Sequence, residues 1–228
     1  HQVLELSDHA DFCVGYFNLR GWRAIDSFIE GWRGDEDSCC RLLVGMQRLP
    51  NDELRSAMSP VADADGIDNK RAMDLKRQLA LEFRDQLTIG VPSEADEQGL
   101  RRLARQIRAG KVVVKLYLRH PLHAKLYLLF RPSDPNTPRV GFVGSSNLTL
   151  AGLSKQGELN VDVVDDDACK KLEQWFKERW EDRWCIDISE DLVAIIDESW
   201  ARDEPIPPYH IYLKMAYHLS QEARAGLA

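Results

Sequence analysis

Short apolar runs alternate along this chain with segments of helical periodicity. Residues 11–21 read as a β-rich run, followed by a helical pattern through Trp22, Ile25, Phe28, Ile29 and Trp32 that ends near Gly34. A second buried strand is expected over 39–46, and the Pro, Asp and Gly punctuation of 51–69 marks a loop or irregular insert. A long helix is expected over 71–87, and the stretch from Gly90 to Ser93 breaks it. Ser93 or Asp96 then caps a helix that runs to Arg108 and stops at Gly110. Strands follow over 112–118, along the apolar run 116–130, around Phe142 and over 159–164. Asp165 caps a helix to about Trp184, with Leu172, Trp175, Phe176 and Trp180 as its apolar stripe. That stripe suits core or dimer packing better than base stacking. Strands alternating with helices predict an α/β layered fold, a mixed and mostly parallel sheet flanked by helices, with its site at strand ends. Residues 1–186 form this domain. Residues 187–228, with a helix over 188–200, a stiff break at 205–208 and an amphipathic helix over 209–224, read as a helical extension.

Candidate chemistry sits on the later strands. His123 and Lys125 are two residues apart, which on a strand puts both side chains on one face. An imidazole able to attack phosphorus would then stand beside an ammonium able to hold a phosphoryl oxygen. The next strand ends in Gly144, Ser145, Ser146 and Asn147, whose hydroxyl and amide could complete a clamp for developing charge. Glu158 precedes the third strand. A His-x-Lys pair alone is common by chance; the three features together point to phosphoester chemistry.

These residues resemble the phospholipase D superfamily, whose signature is His-x-Lys, four residues, Asp, then Gly-Ser or Gly-Gly, one residue and Asn. Residues 111–165 carry the likeness, and Phe12 to Asn18 looks like the family's first strand. Phe130 occupies the family's Asp position, and residues 131–139 are inserted between the two halves of the motif, with Asp134 inside the insert but out of place. The variant is most similar to nuclease-type domains attached to DNA helicases or found in restriction endonucleases. The resemblance implies that His123 attacks phosphorus to give a phosphohistidine. Lys125, Ser145 and Asn147 would bind the nonbridging oxygens, and Glu158 would hold the imidazole in one tautomer, with no metal or other cofactor. It also implies a second histidine to protonate the leaving group. This chain has one motif, so a two-fold homodimer with the site at its interface is expected.

Composition changes the picture in one respect. The net charge is −7, yet between Gly99 and Gly157 eleven Lys and Arg face a single acid, Asp134. That leaves 19 of the 30 basic and 36 of the 37 acidic residues for the rest of the chain. The segregation predicts a positive field around the motif, with Lys115, Arg119, His120, Arg131 and Lys155 as phosphate contacts for DNA. The blander reading of Arg101, Arg102, Arg105 and Arg108 is the solvated face of a helix. Five cysteines without metal-ligand spacing read as reduced, mostly buried thiols. No long apolar run predicts a membrane span or secretion, so a cytoplasmic location is expected, and the missing initiator Met suggests a piece of a longer protein. Two other functions compete with a nuclease: a degenerate module that only binds DNA, and a lipid phosphodiesterase, which the basic zone and the lack of an interfacial amphipathic segment disfavour.

Overall fold

The computed structural model describes residues 2–45, 69–87, 93–149 and 159–199, together with 153, 201, 208, 209, 212, 213 and 215–217. In chain order these give α1 (Gln2–Glu5), β1 (His9–Val14), α2 (Leu19–Arg23), α3 (Asp26–Ile29), β2 (Cys40–Gly45), α4 (Asn69–Leu87), α5 (Glu94–Arg108) and β3 (Val112–Tyr117). They continue with β4 (Leu126–Phe130), β5 (Arg139–Gly144), β6 (Asn160–Val163), α6 (Asp166–Trp180), β7 (Cys185–Asp187) and α7 (Ser189–Glu198).

Among the described residues the strands form one sheet in the order β6-β5-β4-β1-β2-β3-β7. The mixed α/β layering is as expected, but the parallel share is smaller. Only β1–β2 and β2–β3 run parallel; β1–β4, β3–β7, β4–β5 and β5–β6 are antiparallel. Connection length accounts for the two parallel pairs and for β4–β5. Parallel neighbours need a crossover of roughly a dozen residues or more. Helices α2 and α3 span β1 to β2, and α4 and α5 lie between β2 and β3, whereas β4 and β5 are joined only by the short turn 131–138.

Side chains alternate across the sheet. Ala10, Phe12 and Val14, Leu42 and Val44, and Val112, Val114 and Leu116 face one layer, where they meet Trp22, Ile29, Leu79, Phe83, Leu100, Leu103, Leu192, Ile195 and Ile196 from the helices. The opposite face packs Cys13, Leu43, Leu126 and Leu128 on Cys169, Phe176 and Trp180 of α6, so the stripe predicted on that helix is core. Fully burying side chains of this size contributes about 1.5–3 kcal/mol each. Buried indoles are also satisfied: Trp22 Nε1 donates to Gln106 Oε1 (3.1 Å) and Trp32 Nε1 to Ser7 O (2.9 Å).

The caps follow the sequence. Ser93 and Asp96 form a capping box on α5, Gly110 at φ +70° ends it, and the Asp165 carboxylate accepts from Ala168 N at the start of α6. The helical pattern over 22–32 is split into α2 and α3, because Ile25 leaves helical geometry (φ −128°, ψ −14°). The amphipathic pattern over 209–224 puts Tyr212, Met215 and Leu219 on one packing face, yet Tyr212 and Met215 are exposed at 67% and 60%; Leu219 and the insert at 51–68 lie outside the described residues. All five cysteines are thiols, four of them buried.

One buried ion pair interrupts the α6 face. Asp11 has no exposed surface and takes two bonds from Arg41, from Nε at 2.5 Å and from the terminal amine at 2.6 Å, with His9 Nε2 at 3.3 Å. The Arg41 guanidinium lies 5.3 Å from the Phe176 ring centroid and 5.7 Å from that of Trp180. Removing one partner strands a buried charge, so Arg41→Met should lower unfolding stability in urea by about 3–5 kcal/mol, and adding Asp11→Leu should restore much of it.

Candidate active site

The site is assembled where four strands share an end. β1 and β5 finish there, and β4 and β6 start there. The His-x-Lys segment was expected within a strand, but His123 and Lys125 precede β4, on an irregular stretch 118–125 that begins after β3. Pro121 cannot donate to a ladder, and this stretch instead crosses the sheet end with its backbone pressed on two glycines. A Cβ built on Gly15 would lie 3.1 Å from the Leu122 carbonyl oxygen, and one on Gly45 would lie 2.4 Å from it. These glycines end adjacent parallel strands, and only hydrogen in place of a side chain lets the crossing backbone approach this closely.

Over Gly15 the polar groups converge. Its Cβ position would be 3.6 Å from Lys125 Nζ and 3.5 Å from Asn147 Oδ1. Lys125 Nζ donates to His123 O (2.7 Å), and the Tyr16 amide donates to Asn147 Oδ1 (3.0 Å), which fixes the carboxamide and turns its NH₂ end away from Tyr16. His123 is exposed beside them. The turn after β5 is held from below: Gly144 N donates to Lys125 O (3.3 Å), Ser145 Oγ accepts from Leu159 N (3.2 Å), and Asn160 Nδ2 donates to Ser146 Oγ (2.6 Å). The structure therefore brings His123, Lys125, Ser145 and Asn147 to one end of the sheet. Glu158 and Lys155 lie outside the described residues. Cys13 lies under this end, where burial pushes its thiol up to about 12 against the opposing pull of Arg179 and Lys125.

Residues 8–180 match the family described as "Cardiolipin synthase, PLD-like domain". The chain belongs to the phospholipase D-like family. Membership supports phosphodiesterase chemistry for this phospholipase D-like protein. Two solved structures are similar to it in part. Nuc, a phospholipase D family member from Salmonella typhimurium, is 13% identical, with 82% of this chain and 88% of that one covered at a TM-score of 0.41. NucT from Helicobacter pylori is 11% identical, with 82% and 86% covered at a TM-score of 0.44. No curated protein sequence matches the chain.

Other expected positions lie elsewhere. Phe130, in place of the family Asp, is five residues beyond Lys125, about 16 Å along the strand. It packs edge-on against His9 with ring centroids 4.9 Å apart, so its substitution leaves the groups around Gly15 intact. Arg131 is also at that far end, bonded to Thr137 and Asp134 in the turn after β4. Lys115 lies under α6, its Nζ 4.4 Å from the Trp180 ring centroid and bonded to Trp180 O. Arg119 and His120 remain near the site. Arg119 pairs with Asp182 (2.8 Å), and His120 shares contacts with Pro121 O (3.3 Å) and Tyr117 Oη (3.4 Å).

The expected positive field is largely cancelled in space. Arg101 pairs with Glu97, Arg102 with Asp26, Arg108 with Asp197, and Arg139 with Asp166 and Glu173. These acids precede or follow the basic window in sequence but face it in the fold. A groove of about 1410 Å³ lined by His9, Arg41, Lys115 and Arg139 sits at the far end and does not include His123, Lys125 or Asn147.

Sequence reasoning missed Gly15 and Gly45, although both end apolar strand runs, a position where glycine marks close backbone approach. Gly45→Ala should cost about 1–3 kcal/mol of stability, since carbonyl and strand must separate. It should also raise hydrogen exchange across 118–125, measurable by mass spectrometry.

Proposed function

We propose that this phospholipase D-like protein is a metal-independent nuclease that cuts DNA through a phosphohistidine on His123. The observation that carries the reading is the convergence of Lys125 Nζ and Asn147 over Gly15 beside the exposed His123. In the first step an imidazole nitrogen attacks phosphorus, the P–O bond to the leaving sugar breaks, and that oxygen takes a proton from an acid. In the second, water attacks phosphorus and the P–N bond breaks, which releases a phosphate monoester and free imidazole. Lys125 and the Asn147 amide stabilise the charge that builds on the nonbridging oxygens, with Ser145 beside them and Glu158 orienting the imidazole.

The acid is the second requirement. Among the described residues both His120 ring nitrogens are engaged, with Tyr117 and with Pro121 O, and His9 is at the far end. A second copy of the chain supplies it in this reading. Edge strand β6 supports such a partner: exposed Leu159 and Val161 share a face with exposed Val143, the partner of Val161 on β5, near the site end of the sheet.

Incubation with labelled single- and double-stranded DNA in excess chelator tests the chemistry. The wild type should cut, and His123→Ala should lose at least about a thousandfold in rate. Salt-sensitive binding without cleavage would instead identify a DNA-binding module, and release of headgroup from phosphatidylcholine micelles a lipid enzyme. Val161→Glu should shift the dimer to monomer in sedimentation velocity, with loss of cleavage in the same samples.

A further inference from the structure

Across β2 and β3 from Lys125, the same end of the sheet carries a second group of side chains. Leu118 N donates to Trp184 O (2.9 Å), and Asp182 Oδ1 accepts from Trp184 N (2.8 Å), so the turn before β7 is fixed against the start of the crossing segment. Trp184 is half-buried and stands outside both hydrophobic cores, unlike Trp22, Trp32, Trp175 and Trp180, each of which lies in or against one of them. A large indole left partly in water costs hydration that a packed one avoids, and its place at the same end of the sheet as the site gives that exposure a use.

Cations surround it. The Arg183 guanidinium lies 5.7 Å from the Trp184 ring centroid. Arg119 is held at this turn by Asp182. Arg179 stacks on Trp175 at 3.7 Å, and its Nε is buried without a hydrogen-bond partner. Arg179 and Lys125 both act on the Cys13 thiol, which places these two cations around the end of β1. These positive side chains lie at the same end of the sheet as Lys125, with Trp184 about 14 Å, three strand spacings, from the end of β1.

We infer that Trp184, with Arg183 and Arg119, is a docking platform for a nucleotide to one side of the scissile phosphate, beyond the one that adjoins it, and that it selects single-stranded nucleic acid. An unpaired base gains a stacking partner in the ring, while a base inside a duplex already has one on each face. The guanidinium groups hold the adjoining phosphates. The inference rests on the proposed phosphodiesterase reading and adds the strandedness of its substrate.

The test uses the full chain and two probes, a labelled oligothymidylate and the small diester bis(p-nitrophenyl) phosphate. Trp184→Ala should weaken oligonucleotide binding by about 5- to 150-fold, the loss of one stacked base, and Trp184→Phe should recover most of it. Arg183→Glu should lower the slope of log affinity against log salt by about one. Small-diester hydrolysis should be unchanged in all three, and the wild type should bind duplex more weakly than single strand. Unchanged oligonucleotide affinity in Trp184→Ala, equal wild-type affinity for duplex, or loss of small-diester hydrolysis in the variants would overturn the platform while leaving wild-type chemistry intact. A wild type that neither binds oligonucleotide nor hydrolyses the small diester overturns the underlying reading itself.

Discussion

The carbonyl of Leu122, resting on Gly15 and Gly45, is the contact on which the site depends. Two adjacent parallel strands end without side chains, and the chain between β3 and β4 crosses their ends at backbone distance. That crossing delivers His123 to the surface and Lys125 to the space over Gly15. The next residues enter β4 in register with β5, so Gly144 bonds Lys125 and the turn that bears Asn147 closes on Tyr16. Each group in the cluster is thus placed by backbone geometry, not by long side chains reaching inward. Preorganised placement of this kind needs no rearrangement as charge develops.

Much of the architecture could be read in the sequence because its signals are local. The capping box at Ser93, the Asp165 cap and the strand runs of β1, β2 and β3 each depend on a few neighbouring residues. The direction of the strands was harder, because apolar runs look alike whether buried in a parallel or an antiparallel ladder. The deciding fact is the short turn between β4 and β5. The break at Ile25 was also invisible: Trp22, Ile25, Phe28 and Ile29 keep helical spacing through two short helices packed on one core. His123, Lys125, Ser145 and Asn147 were legible because the motif fixes residue types at fixed intervals. Gly15 and Gly45 were not, since their role is set by the Leu122 carbonyl, far from both in sequence.

Charge shows the limits of linear counting most clearly. The window rich in Lys and Arg spans α5, β3 and β4, while its acidic partners sit on α3, α6 and α7 and in the turn before β7. Folding interleaves the two sets. What faces the site is a small number of cations, several held by aromatic rings or by single carboxylates, so recognition would rest on placement more than on a broad field. Lys115 illustrates the exchange: counted as a phosphate contact from its neighbours in sequence, it is committed to the Trp180 ring and carbonyl.

The far end of the sheet has a different use. Phe130 packed edge-on against His9 and the turn closed by Arg131, Asp134 and Thr137 lie a full strand length from the groups over Gly15. The insertion that separates the two halves of the motif in sequence therefore adds nothing to the site in space. A fluorophore or affinity handle spliced into that turn would report on the protein from a full strand length away from the groups over Gly15.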